Sequence, residues 1–100
     1  MKLIDVRTAD GSRHFACLRR TATWQAVGGH LALLPGAEVL NFIVHGVAEA
    51  WLDFAYHQHR FSIRQHGEEC WFSVRDPQCS DLRLYQVAAH FEALLGDSPQ

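Results

Sequence analysis

The sequence contains few of the features that would assign a protein to a specialised class. It has three prolines, three cysteines without a Cys-x-x-C pair, and nine Lys and Arg residues against eleven Asp and Glu. An odd number of irregularly spaced cysteines is a poor disulfide framework. A formal charge of −2 lacks the basic surface expected of a protein that binds nucleic acid. With 48% hydrophobic residues, the 100-residue chain is instead typical of one globular domain spanning residues 1–100.

Long hydrophobic runs are also missing. The longest window without a charged residue, 21–37, includes Gln, His, Pro and two adjacent glycines, whereas a membrane span needs about 20 mainly apolar residues. The N-terminus has an acid at Asp5 and no apolar run of the kind found in secretory signals. Together with an absence of paired cysteines, this predicts a cytoplasmic protein without membrane contact.

The clearest structural signal that is present lies between about residues 50 and 75. Two-residue turns at 57–58 and 66–67 join three strands into an antiparallel meander, in which Phe54 faces Phe61 and Phe61 faces Phe72. A slip of one residue would move every side chain to the opposite face, so agreement between the two turns supports this register. One face then collects the apolar side chains: Leu52, Phe54, Phe61, Ile63, Cys70, Phe72 and Val74.

Two amphipathic stripes predict helices that cover this apolar face. The first stripe indicates a helix over about 23–34, and the second indicates one over about 81–95 with Gly96 as its C-terminal stop. Before them, an Asp10-Gly11 turn predicts a hairpin that pairs Val6 with Phe15. The expected fold is an α+β two-layer sandwich: an antiparallel sheet that includes the meander, with both helices packed on one face.

The opposite face of the meander carries large and charged side chains. In the predicted register Trp51 lies across from Arg64, and Arg64 lies across from Glu69. Because an antiparallel sheet commonly leaves one face in water, a solvated face with shielded tryptophans is the simplest interpretation. Tryptophan and arginine are also enriched at the energetic centres of protein interfaces. We therefore take Trp51, Arg60, Arg64 and Trp71 as candidate binding residues for a second copy of the chain or another protein.

Seven histidines make metal binding worth weighing. His57 and His59 form a closely spaced pair, and His66 lies about one strand length away in the next turn. A zinc site needs three or four ligands that converge at about 2.0–2.3 Å, and the predicted register does not bring these three side chains together. His57, His59 and His66 are therefore weak metal candidates. We expect solvated turns and no metal or other cofactor.

Cys79 is the best candidate for a reactive thiol, because it precedes the second predicted helix and a helix N-terminus lowers the pKa of a thiol. The sequence contains no phosphate-binding loop, serine-nucleophile elbow or zinc-binding helix motif. We expect a non-enzymatic domain that acts by protein contact or self-association. The alternative is a small metal- or thiol-dependent enzyme that uses the histidine-rich turns or Cys79.

Overall fold

The fold is an antiparallel sheet covered on one face by two helices. A computed structural model describes residues 2–45 and 49–97, and within these ranges seven strands form one sheet. In chain order the elements are β1 (Val6–Arg7), β2 (Arg13–Arg19), α1 (Trp24–Leu31), β3 (Ala37–His45), β4 (Glu49–Tyr56), β5 (His59–His66), β6 (Glu69–Val74), α2 (Asp81–Glu92) and β7 (Gly96–Asp97). The strand order is β1-β2-β6-β5-β4-β3, and β7 also pairs with β2. The predicted α+β class is confirmed.

The first hairpin of the meander, β4 with β5, has the predicted register. Phe54 pairs with Phe61 across the turn at residues 57–58. Both turn residues, His57 and Gln58, have left-handed φ angles, of 48° and 69°. Left-handed φ at both central positions is the pattern of a type I′ turn, whose twist matches that of the strands it joins.

The second hairpin, β5 with β6, departs from the predicted register by two residues. Phe61 pairs with Val74 instead of Phe72. The turn lies at residues 67–68 rather than 66–67, because Gly67 takes the left-handed first position at φ 62°. Since side chains alternate with a period of two, an even shift keeps each apolar side chain on the predicted face.

The N-terminal hairpin forms, but its pairing is offset by one residue from the prediction. Val6 pairs with His14 instead of Phe15, because the loop consists of three residues, 9–11, and not two. Gly11 has a φ of 88°, which suits the left-handed last position of a three-residue hairpin loop. The predicted two-residue turn is therefore wrong.

Both helices begin where predicted and end about one turn earlier. α1 follows Thr23, whose side chain accepts a hydrogen bond from the backbone of the first turn at 3.1 Å. It ends at Leu31, and α2 ends at Glu92. Gly96 does not stop a helix but pairs with Arg19 as part of β7, because the chain leaves α2 to hydrogen-bond with the sheet. Among the described residues, no helix has the length and apolar character needed to cross a bilayer.

The core lies between the two helices and the sheet face that they cover. The rings of Phe72 and Phe91 approach to 5.4 Å between centroids, which joins the meander to α2. Burial raises the pKa of the Cys70 thiol to about 12, so this thiol is a packing group. The largest fully buried side chains are Phe15, Phe54, Phe61, Phe72, Phe91, Leu18, Leu31, Leu52, Ile63, Leu84, Val27 and Val74.

Candidate functional site

The sheet face opposite the helices, which we call the open face, carries the residues predicted to bind a partner. Arg64 lies between the two tryptophans rather than across from Glu69, a consequence of the two-residue shift between β5 and β6. The rows of cross-strand neighbours on this face are Ile43-Trp51-Arg64-Trp71-Cys17, then Asn41-Asp53-Ser62-Ser73-His14, then Glu38-Ala55-Arg60-Arg75.

Trp71 is enclosed by two imidazole rings. His66 stacks on it with a centroid distance of 3.9 Å, and His14 stacks at 4.7 Å. His14 is only 7% exposed, and its Nδ1 donates a hydrogen bond to the Phe72 carbonyl oxygen at 3.0 Å. Burial lowers the pKa of His14, which favours the neutral ring. Trp71 is thus half-buried by contacts with residues of its own sheet.

Trp51 is half-buried and lies nearer to the end of the sheet. The Arg64 Cζ atom is 5.8 Å from the centroid of the Trp51 ring, which is within cation–π range. On its other side Trp51 neighbours Ile43 of β3. The four predicted binding residues share one face, but among them only Trp51 neighbours β3.

Two adjoining cavities lie on the open face beside the hairpin loop of residues 8–12. A cavity of about 280 Å³ is lined by three arginines, Arg60, Arg64 and Arg75. A second cavity of about 530 Å³ extends toward Trp71 and His66. The residues that line both are Asp10, Ser12, Ser62, Arg64 and Ser73.

Sequence reasoning missed β3 as an interaction surface. Its outer side pairs with no other strand in the described part of the chain. Four apolar side chains of this strand are 39–48% exposed: Val39, Leu40, Phe42 and Val44. An apolar strand with an unpaired edge is a template for pairing with another strand. The uncharged run 39–44 was the available signal, but its exposure depends on which strand ends the sheet. We call this strand the free edge.

The opposite end of the sheet, the covered edge, is formed by β2 with β1 and β7. β1 pairs with residues 13–14 of β2, and β7 pairs with residues 18–19. Arg13 is 8% exposed, and its guanidinium donates to the carbonyl oxygen of Ile4 at 2.8 and 3.1 Å and to Asp81 at 2.9 Å. It therefore ties the segment before β1 to the start of α2.

The three histidines predicted as weak metal candidates are not brought together. His57 lies in the β4–β5 turn and His59 begins β5, whereas His66 ends β5 and stacks on Trp71. Within residues 2–45 and 49–97, no group of three or more His, Cys, Asp or Glu side chains is arranged to hold a metal ion.

Cys79 precedes α2 as predicted, but its environment differs from the expectation. The residue is 4% exposed, and burial raises the pKa of its thiol. The pKa is therefore raised where the sequence predicted that it would be lowered, because desolvation of the thiolate and the nearby Asp76 both disfavour the charged form.

A reciprocal histidine pair, also missed by sequence reasoning, fastens α1 to α2. Nε2 of His30 donates to the His90 carbonyl oxygen and Nε2 of His90 donates to the His30 carbonyl oxygen, each at 2.6 Å. The two rings stack with a centroid distance of 4.1 Å. Because a carbonyl oxygen only accepts, both rings carry a proton on Nε2. The pair links helices that are 60 residues apart in sequence.

Comparison with known proteins adds no family to this description. The chain matches no protein-family model, and neither the curated proteins nor the solved structures include a significant match.

Proposed function

We propose that this chain is a non-enzymatic binding domain that forms a homodimer through the free edge, with β3 of one copy antiparallel to β3 of the other. The observation that carries the proposal is the exposure of four apolar side chains on a strand whose outer side is unpaired in the described residues. The nine residues of β3 span about 30 Å, at roughly 3.4 Å per residue. The strand therefore offers a long row of backbone donors and acceptors to a partner.

The free edge has a register irregularity between Val39 and Asn41, but it lacks most of the other features that keep edge strands apart. Proteins commonly protect such strands with lysine, proline, short length or a covering element. β3 contains neither lysine nor proline, and its one acidic residue, Glu38, is near its start. The run from Val39 to Val44 is uncharged. Pairing would bury apolar surface and satisfy backbone hydrogen bonds at once.

A second copy of the chain is the occupant that the residue pattern of β3 favours. In an antiparallel pair of identical strands, the beginning of one lies beside the end of the other. Glu38, at the beginning of β3, would then lie close to His45, at the end of the partner's β3. Both side chains are exposed, so they are available for this contact. The uncharged centres of the two strands would meet without like charges opposite one another.

This arrangement narrows the predicted role of the tryptophan and arginine residues. Trp51 neighbours Ile43 on the open face, so only β3 would lie between Trp51 and a partner strand. Arg64 and Trp71 lie further inside the sheet. We propose that Trp51 borders the dimer contact and that Arg60, Arg64 and Trp71 lie outside it.

The test compares one substitution at the two edges. Val44 on β3 and Val6 on β1 are 43% and 50% exposed. Val44→Lys and Val6→Lys therefore make the same chemical change at positions of similar solvent exposure. Sedimentation equilibrium of the wild-type chain should give twice the 11.3 kDa monomer mass. Val44→Lys should give the monomer mass, because lysine on an edge strand opposes pairing. Val6→Lys should remain a dimer.

Circular dichroism shows whether each variant keeps its secondary structure, so that loss of the dimer is not confused with unfolding. A wild-type chain that stays monomeric at every concentration tested would overturn the proposal. So would a folded Val44→Lys variant that is still dimeric, or a Val6→Lys variant that dissociates equally.

The alternative of a metal- or thiol-dependent enzyme has less support. It would need His57 and His59 to converge with His66 from the other end of β5. The thiol version would need a nucleophile from Cys79, whose buried thiol has a raised pKa. Elemental analysis of the purified chain for bound metal, and the rate of Cys79 alkylation relative to a model thiol, test these two versions separately.

A further inference from the structure

Two arginines face each other across adjacent strands at one end of the open face. Arg75 follows β6 directly, and its backbone N–H donates to the Arg60 carbonyl oxygen at 2.9 Å. This bond continues the register in which Phe61 pairs with Val74. Like charges directly opposite each other on a sheet are destabilising, so this pairing lacks a rationale in the fold alone.

These arginines have no acidic partner within the chain as described. Among residues 2–45 and 49–97, the ion pairs join Asp5 to Arg7 and Arg13, Asp81 to Arg13, and Asp76 to His59. None involves Arg60, Arg75 or the neighbouring Arg64. Three arginines therefore line the 280 Å³ cavity without taking part in an ion pair between the described residues.

The two acidic residues that also line this cavity are engaged by hydroxyl groups. Asp53 accepts a hydrogen bond from Ser62 Oγ at 2.7 Å. Asp10 accepts hydrogen bonds from the hydroxyls of Ser12 and Thr8, and these hold the pKa of its carboxyl well below its usual range. Asp10 thereby stabilises the hairpin loop and keeps its negative charge. The cavity nevertheless has three arginines against two acidic residues.

We propose that Arg60 and Arg75 form a binding site for the phosphate group of a small molecule. The planar guanidinium donates paired hydrogen bonds that match the oxygens of phosphate. A phosphate between the two side chains converts their repulsion into two attractive contacts. Ser73, in the same cavity on the strand that leads to Arg75, adds a hydroxyl donor. The site does not include β3 and is independent of the proposed dimer.

Two sources could supply this phosphate group, inorganic phosphate and a phosphomonoester. The adjoining 530 Å³ cavity is lined by three apolar residues, Val6, Ala9 and Trp71, among polar ones. The apolar part of this lining could receive the organic part of an ester. Phenyl phosphate and inorganic phosphate distinguish the two sources, because only phenyl phosphate carries a group for that cavity.

The experiment is isothermal titration of the full chain with each of these two compounds, at an ionic strength kept constant with sodium chloride. We expect saturable binding to the wild-type chain. Arg60→Gln and Arg75→Gln should each weaken it at least about tenfold, because each removes charged hydrogen-bond donors. Arg19→Gln, which removes an exposed arginine outside both cavities, is the matched control and should bind as the wild type does.

Thermal denaturation without phosphate provides a second readout. Arg60→Gln and Arg75→Gln should not lower the melting temperature, because each removes one of two like charges that face each other. Phosphate should raise the melting temperature of the wild type. No saturable binding of either compound, or unchanged binding by both folded arginine variants, would overturn the proposal. Tighter binding of phenyl phosphate would identify a phosphomonoester as the ligand, and equal binding would identify inorganic phosphate.

Discussion

The two edges of the sheet are finished in different ways. The covered edge has β1 and β7 paired with the two ends of β2. At the free edge, the outer side of β3 has no partner strand among the described residues. β1 and β7 come from segments near the two ends of the described chain, which return to the same strand. The covered edge is therefore protected by elements of two residues each, and the free edge, with its nine-residue apolar strand, is suited to a partner.

The largest effect should come from breaking the covered edge at Arg13. Arg13→Ala removes charged hydrogen bonds to Ile4 and Asp81 from a buried guanidinium. It should lower the free energy of unfolding by about 2–3 kcal/mol, since a hydrogen bond to a charged group contributes about 1.5–3 kcal/mol. Urea denaturation measures this loss. Arg7→Ala removes an exposed arginine paired with Asp5 and should change stability by less than about 0.5 kcal/mol.

Equal losses for the two arginine variants would mean that Arg13 does not hold the covered edge. Loss of the dimer in a folded Arg13→Ala chain would mean that the two edges are not independent.

A smaller effect should follow from acidification, again at the covered edge. Burial lowers the pKa of His14 in the folded chain, so the unfolded chain takes up a proton at higher pH than the folded chain does. The stability that the neutral ring contributes is complete above the unfolded pKa of about 6.5 and is lost as pH falls from there toward the lowered folded pKa. Urea denaturation over this pH range should show the decline in wild type and a weaker decline in His14→Gln.

His57→Gln is the matched control for this pH dependence, because His57 is exposed in the β4–β5 turn and lies outside the proposed dimer contact. Its stability should fall with pH as steeply as that of the wild type. An identical slope in His14→Gln would mean that the buried imidazole of the covered edge does not cause the decline.

The smallest effect concerns the contact that connects the free edge to α1. A Cβ atom at Gly28 would lie 2.9 Å from the Phe42 ring, whereas one at Gly29 would meet no heavy atom within 4 Å. Gly29→Ala should raise the free energy of unfolding by about 0.5–1 kcal/mol, because alanine favours helix over glycine. Gly28→Ala should gain less, since Phe42 has to move. Thermal denaturation compares the two, and an equal gain would mean that Phe42 is not held against α1.

Much of the fold followed from local patterns, as the meander illustrates. Alternation in β4, β5 and β6 was enough to predict which side chains are buried, because an error of two residues in the second turn leaves each side chain on the same face. The helix stripes were similarly informative, although the C-terminus of neither helix was predicted accurately. Gly96 is a residue type that commonly follows a helix C-terminus, but its pairing with Arg19 depends on β2, which is far away in sequence.

The candidate site was predicted only in part. The open face and its four named residues followed from the register, but the order of neighbours around Arg64 did not. The enclosure of Trp71 by His14 and His66 requires β2 to pair with β6, and no local signal specifies that pairing. The buried thiol of Cys79 was missed for the same reason, since burial depends on what packs above a residue.

The sequence by itself determined the two helices with their stripes and the apolar face of the meander, because these depend on side-chain periodicity within short segments. Only the tertiary structure decided which strands end the sheet. β3 would be an apolar strand whether it lay inside the sheet or at its end. It is a free edge because β2 pairs with β6 at the other end and leaves β3 last in order. The opposition of Arg60 and Arg75 likewise depends on a turn displaced by one residue. Strand pairing, long-range for the free edge and set by a local turn for the two arginines, created both of the surfaces to which we assign a function.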